Sequence, residues 1–92
     1  MYQLTITATT VKILLLGNIS DKMTVPIPKA NKSIVCELLN KVDIVVPDDD
    51  YDDVAFEWEA LMDNYQRRDS LEFDYTSKHF HVVVKKVENA AL

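Results

Sequence analysis

The chain has 92 residues, 48% of them hydrophobic and 27% charged, with a net charge of −5; this is the balance of one globular domain (1–92), not of a disordered segment. Its longest unbroken apolar run, Ile13 to Leu16, is too short to cross a bilayer. A single cysteine, Cys36, excludes an internal disulfide framework, and a single glycine, Gly17, excludes most glycine-rich phosphate loops.

The start of the chain has no basic segment, apolar core and cleavage site of a leader peptide, which predicts a cytoplasmic protein. Tyr2, Leu4, Ile6 and Ala8 alternate with Gln3, Thr5, Thr7 and Thr9, the pattern of a half-buried strand. After Thr10 the parity flips to Val11, Ile13 and Leu15, which requires a bulge or turn near Thr9-Thr10. Leu14 and Leu16 make 11–16 apolar on both faces and predict a central strand closed by a Gly17-Asn18 turn. Met23, Val25 and Ile27 predict a short strand that Pro26 and Pro28 confine to a sheet edge.

Ile34, Val35, Leu38, Leu39 and Val42 recur at helical spacing and predict a first helix over about 32–43, capped by Asn31. Ile44-Val45-Val46 reads as a buried linker or a brief strand ending at Pro47. A second helix of about 15 residues follows from Val54, Trp58, Leu61, Met62 and Tyr65 on one side. Asp49 or Asp50 can cap it, and Arg67 and Arg68 suit its negative end. Leu71, Phe73 and Tyr75 and then Phe80, Val82 and Val84 predict a hairpin around the loop 76–79, with 90–92 as a frayed tail. The predicted class is α+β: an antiparallel sheet of about four to five strands with both helices on one face, in the order β-β-(β)-α-α-β-β.

Charge is unevenly placed. Asp43 to Asp63 holds nine acidic residues and no basic one, leaving six acids against ten bases elsewhere. Such a lobe repels free nucleic acid and steers towards basic protein surfaces. Asp48, Asp50, Asp52 and Glu59 match positions 1, 3, 5 and 12 of an EF-hand, but Asp53 stands at the glycine position and Pro47 precedes the loop. The calcium reading therefore fails. Capping accounts for about two or three acids at a helix start, not for five within six residues. The remainder is either a solvated face or a binding surface.

Phe56 bears on that choice. On the helical wheel it lies opposite Trp58 and Tyr65, among Asp52, Glu59 and Asp63. An aromatic framed by charge is an interface anchor, unless another element buries it. The candidate partner-binding set is Asp48, Asp49, Asp50, Asp52, Asp53, Phe56, Glu59 and Asp63, with Arg67 and Arg68 as secondary basic contacts.

Other chemistry is thin. His79 and His81 are two apart on a predicted strand, which puts both rings on one face; Cys36 and Asp74 are candidates to join them in a zinc site, though nothing in the spacing demands it. A surface pair is the simpler reading. No nucleophile, base and oxyanion donor can be assembled, so no enzyme and no cofactor are expected. Lys78, Lys85 and Lys86 guard a sheet edge or add minor contacts to an RNA backbone in a ribonucleoprotein.

In size, acidity and lack of catalytic motifs, with Asp48–Asp53, Glu57, Glu59 and Asp63 as its carriers, the chain resembles the small anti-CRISPR proteins of phages. That resemblance implies a stoichiometric inhibitor docked on a basic surface of a CRISPR effector complex, a type I surveillance complex among the candidates. It would act in a bacterial host by occupying grooves that hold nucleic acid, its carboxylates standing in for phosphates. The alternative is a structural or adaptor subunit, for instance a homodimer joined through its sheet edge or Phe56. No membrane partner is expected.

Overall fold

A computed structural model describes residues 1–29, 31–46 and 51–87. Its described elements in chain order are β1 (Tyr2–Ala8), β2 (Lys12–Leu15), β3 (Asn18–Ser20), β4 (Lys22–Ile27), α1 (Lys32–Asn40), β5 (Asp43–Val45), α2 (Tyr51–Arg67), β6 (Phe73–Thr76) and β7 (Phe80–Lys86). The class is α+β, as expected. The strands divide between two antiparallel sheets, one of four in the order β4-β1-β7-β6 and one of three in the order β3-β2-β5.

The parity flip at Thr9-Thr10 is where the chain leaves one sheet for the other. Thr9 is fastened at that corner: its backbone N–H donates to the His79 carbonyl at 2.8 Å, and its hydroxyl donates to the same oxygen at 3.0 Å. Beyond it the chain bends, and β2 starts the second sheet with Ile13 and Leu15 turned into the core. β2 is central, as the apolar run predicts, but central in the smaller sheet. The turn that follows is Leu16-Gly17 and not Gly17-Asn18. Both residues have positive φ, 54° and 87°, the backbone of a two-residue turn whose twist suits antiparallel strands. Asn18 then pairs with Leu15 and opens β3.

β4 carries Pro26 on an edge, where a missing N–H breaks no ladder. α1 ends at Asn40, earlier than the periodicity suggests, because Lys41 caps it and Asp43 already belongs to β5. Asn31 caps its start, the side-chain Oδ1 accepting from the N–H of Ser33 at 2.7 Å. In the hairpin, a loop over 76–79 would oppose Tyr75 to Phe80 and Phe73 to Val82; instead Thr76 extends β6 to pair with His81, so Tyr75 opposes Val82, Phe73 opposes Val84, and Leu71 lies outside the strand.

One core joins both sheets to both helices. Leu4, Ile6, Phe80, Val82 and Val84 face it from the larger sheet, Val35 and Leu39 from α1, and Val54, Leu61 and Tyr65 from α2. Trp58 meets Phe80 edge to face, ring centroids 5.2 Å apart, and Tyr65 meets Phe73 likewise at 4.9 Å. With Val54, Leu61 and Tyr65 holding one side of α2 inward, its opposite side must face solvent.

Candidate functional site

α2 is the element that displays the acidic residues. Asp52 and Asp53 occupy its first turn, where carboxylates oppose the positive end of the helix dipole. Asp48, Asp49 and Asp50 lie outside the described residues. Phe56 is 73% exposed, so no element buries it and the core reading of this residue fails. At about 100° per residue it sits near the middle of a face edged by Asp52, Glu59 and Asp63.

The charge of that face is largely unneutralised within the chain. Asp63 pairs with Arg67 at 3.2 Å, one turn along the helix and exposed. Asp43, Asp52, Asp53 and Glu59 have no ion-pair partner among the described residues, and the remaining residues of the chain contain no lysine, arginine or histidine. Glu57 points the other way. Its Oε2 accepts from Nδ1 of His79 at 2.5 Å, tying α2 to the β6–β7 loop.

The two basic residues assigned to the helix end are engaged internally. Arg67 holds Asp63, while Arg68 donates from Nε to the Asn64 side chain at 3.0 Å and lies over the Phe73 ring at 5.0 Å. Lys32 was not singled out by its pattern, yet it reaches from α1 to the end of α2. Its ammonium donates to the carbonyls of Gln66, at 2.9 Å, and Arg68. Only the packing of α1 on α2 brings it there, 34 residues away in sequence from Gln66.

A furrow runs beside the acidic face, which sequence reasoning missed. One cavity of about 210 Å³ lies between β5 and the first half of α2, floored by Val42, Ile44, Val54, Ala55 and Trp58. A second, more open, of about 420 Å³, continues along α2 past Leu39 and Met62. Val42, Trp58 and Glu59 line both, so the two are joined. The signal for it was a half-buried stripe of α2 between the core side and the acidic side. Reading that stripe as a groove requires knowing what stands across from it.

The histidines do not share a face. His79 lies in the loop, 6% exposed and bonded to Glu57, whereas His81 lies on β7, half exposed, with Nε2 2.7 Å from Asp74 on the outer side of the sheet. The strand begins only at Phe80, so the alternation that would align the rings does not reach His79. Cys36 is half-buried against the core beside Tyr65, not on a polar edge. Among the described residues no group of three or more histidine, cysteine or carboxylate side chains is placed to hold a metal ion. No described helix is long and apolar enough to cross a membrane.

Comparison with protein families, curated proteins and solved structures finds no match to this chain.

Proposed function

We propose that this protein is a non-catalytic inhibitor that docks through the acidic face of α2 on a basic surface, in the manner of an anti-CRISPR protein occupying a nucleic-acid groove of a CRISPR effector complex, type I being the candidate class. The observation that carries the reading is Phe56, 73% exposed amid carboxylates of which Asp52 and Glu59 have no ion-pair partner among the described residues. A large apolar ring in such a setting stabilises nothing in the free protein, and an anchor of this kind gains most when a partner desolvates it. Carboxylates around it match rows of lysine and arginine, while the fold presents them on a helix pinned to the core by Trp58, Leu61 and Tyr65.

The test is phage plating on cells with an active CRISPR system, with and without the protein. Expression is expected to restore plating of a targeted phage. Phe56→Ala is expected to lose that effect while its thermal midpoint stays within about 0.5 kcal/mol of the parent, since the side chain is exposed. Full protection by Phe56→Ala, or by Asp52→Asn combined with Glu59→Gln and Asp63→Asn, would overturn the reading.

A second reading has its own observation. The outer face of the smaller sheet carries Leu14, Ile19 and Val45 beside Lys12 and Asp43, with Leu16, 77% exposed, at the hairpin tip. Apolar residues between one base and one acid suit a two-fold contact with another copy, each lysine meeting the other copy's aspartate. Sedimentation at two concentrations tests it: a dimer that Ile19→Lys dissociates supports an adaptor or structural subunit.

A further inference from the structure

We infer that the furrow between β5 and α2 binds an extended, cationic segment of a partner protein, with an apolar side chain against Trp58 and a lysine or arginine against Glu59 and Asp63. This rests on the inhibitor reading and names the chemistry that the basic partner would present.

Three features of the furrow lead there. Its wall on the α2 side is a continuous stripe from Tyr51 to Gln66 at three- and four-residue spacing, about 22 Å long. That length takes about six or seven extended residues. Its other wall is Val42, Ile44 and Val46, alternate residues that turn one face toward α2, with Asp43 at the margin. β5 is an end strand of the smaller sheet, and no described strand pairs with its outer edge, so no further described strand closes the furrow on that side.

Charge selects the occupant. No basic side chain lines either cavity, whereas Asp43, Glu59 and Asp63 stand on the rim over an apolar floor. An acidic peptide meets repulsion on every side; a purely polar cation leaves the floor of Val42, Val54 and Trp58 unfilled. Alternating apolar and cationic residues satisfy both, because an extended strand sends successive side chains to opposite sides. Glu59 and Asp63 also border the Phe56 face, so the cations of a bound strand lie where groove and acidic face meet.

The chain has one tryptophan, Trp58, and it lines both cavities, so its emission reports occupancy directly. The probe is the capped peptide Arg-Leu-Arg-Leu-Arg-Leu, titrated into the full chain, with Glu-Leu-Glu-Leu-Glu-Leu as its counterpart. A saturable one-to-one change in Trp58 emission is expected with the arginine peptide, at least tenfold weaker with the glutamate peptide. Ala55→Phe, which fills the furrow from a half-buried helix position on its floor, is expected to weaken the arginine peptide at least tenfold with an unchanged circular dichroism spectrum. Glu59→Gln is expected to weaken it less. Phe56→Ala is expected to leave the peptide signal intact while abolishing protection in the plating assay. No saturable change, or equal binding by Ala55→Phe, overturns the groove inference even if the plating result stands. A groove that binds the peptide while Phe56→Ala still protects overturns the inhibitor reading and leaves the groove.

Discussion

Leu16 occupies a backbone position that an ordinary side chain avoids. At φ 54° its Cβ crowds the following carbonyl, which costs about 1–2 kcal/mol relative to the right-handed region. Asparagine tolerates that region, so Leu16→Asn is expected to raise stability by about 0.5–1 kcal/mol, read as a shift in the denaturant midpoint with unchanged slope. Gly17, at φ 87°, has open space where a Cβ would go, so its constraint is torsional and not steric packing. Tyr65 makes a different case. Burial pushes its phenol from 10.0 up to about 12, and Cys36 beside it adds to the rise. The stability held by the neutral phenol is complete below pH 10, where both folded and unfolded chains keep the proton. It is lost as pH climbs from 10 to about 12, because only the unfolded chain ionises there. Two units correspond to about 2–3 kcal/mol. Denaturant melts between about pH 9 and 12 are expected to show this decline in the parent and a flatter profile in Tyr65→Phe. His79 and Glu57 form a third site, both ring and carboxylate largely withdrawn from water. A double-mutant cycle with His79→Leu and Glu57→Leu is expected to give a coupling of about 1–3 kcal/mol, since either single change strands a largely buried polar partner.

At the scale of elements, α2 does two jobs with different sides. Its core side locks it against Phe80, Phe73 and Val35; its acidic side is left to solvent. A helix of 17 residues with this many acids near its start gains from its dipole only in the first turn, so the rest of its negative charge adds repulsion and not stability. The far end is held by Lys32, whose ammonium satisfies carbonyls that have no partner within the helix and lies 5.3 Å from the Tyr65 ring. Lys32→Met keeps the aliphatic stem and removes the donor. It is expected to cost about 1 kcal/mol and to speed amide exchange in the last turn of α2 more than in its centre. The hairpin β6–β7 shows how much of an element is local: its two strands and their inward faces were legible in the alternation of Phe73, Tyr75, Val82 and Val84, whereas its register was not, because alternation is unchanged by the two-residue shift that opposes Tyr75 to Val82 and not to Phe80. The helix limits were less so. Val42 is buried, 7% exposed, and keeps the helical spacing of α1, but it is buried by the turn into β5.

For the whole molecule, the deciding property is where charge sits relative to shape. The described acidic residues are concentrated on one helix, α2, whereas the lysines are spread over β2, β4, α1 and β7, so the surface charge is uneven. Binding driven by that asymmetry is expected to fall by about tenfold or more between 50 and 200 mM salt, measured against a purified CRISPR effector complex; an apolar contact through Leu16 and Ile19 would scarcely respond.

The α+β class, the edge position of Pro26, the existence of the β6–β7 hairpin and the acidic helix with Phe56 outward all follow from local period and residue chemistry, because alternation and helical spacing record which side is apolar. Partition of the strands into two sheets, the separation of His79 from His81, the reach of Lys32 and the furrow beside Trp58 follow only from tertiary packing. Each depends on residues far apart in sequence meeting across a core, and a one-dimensional pattern records that a side is buried without recording what buries it.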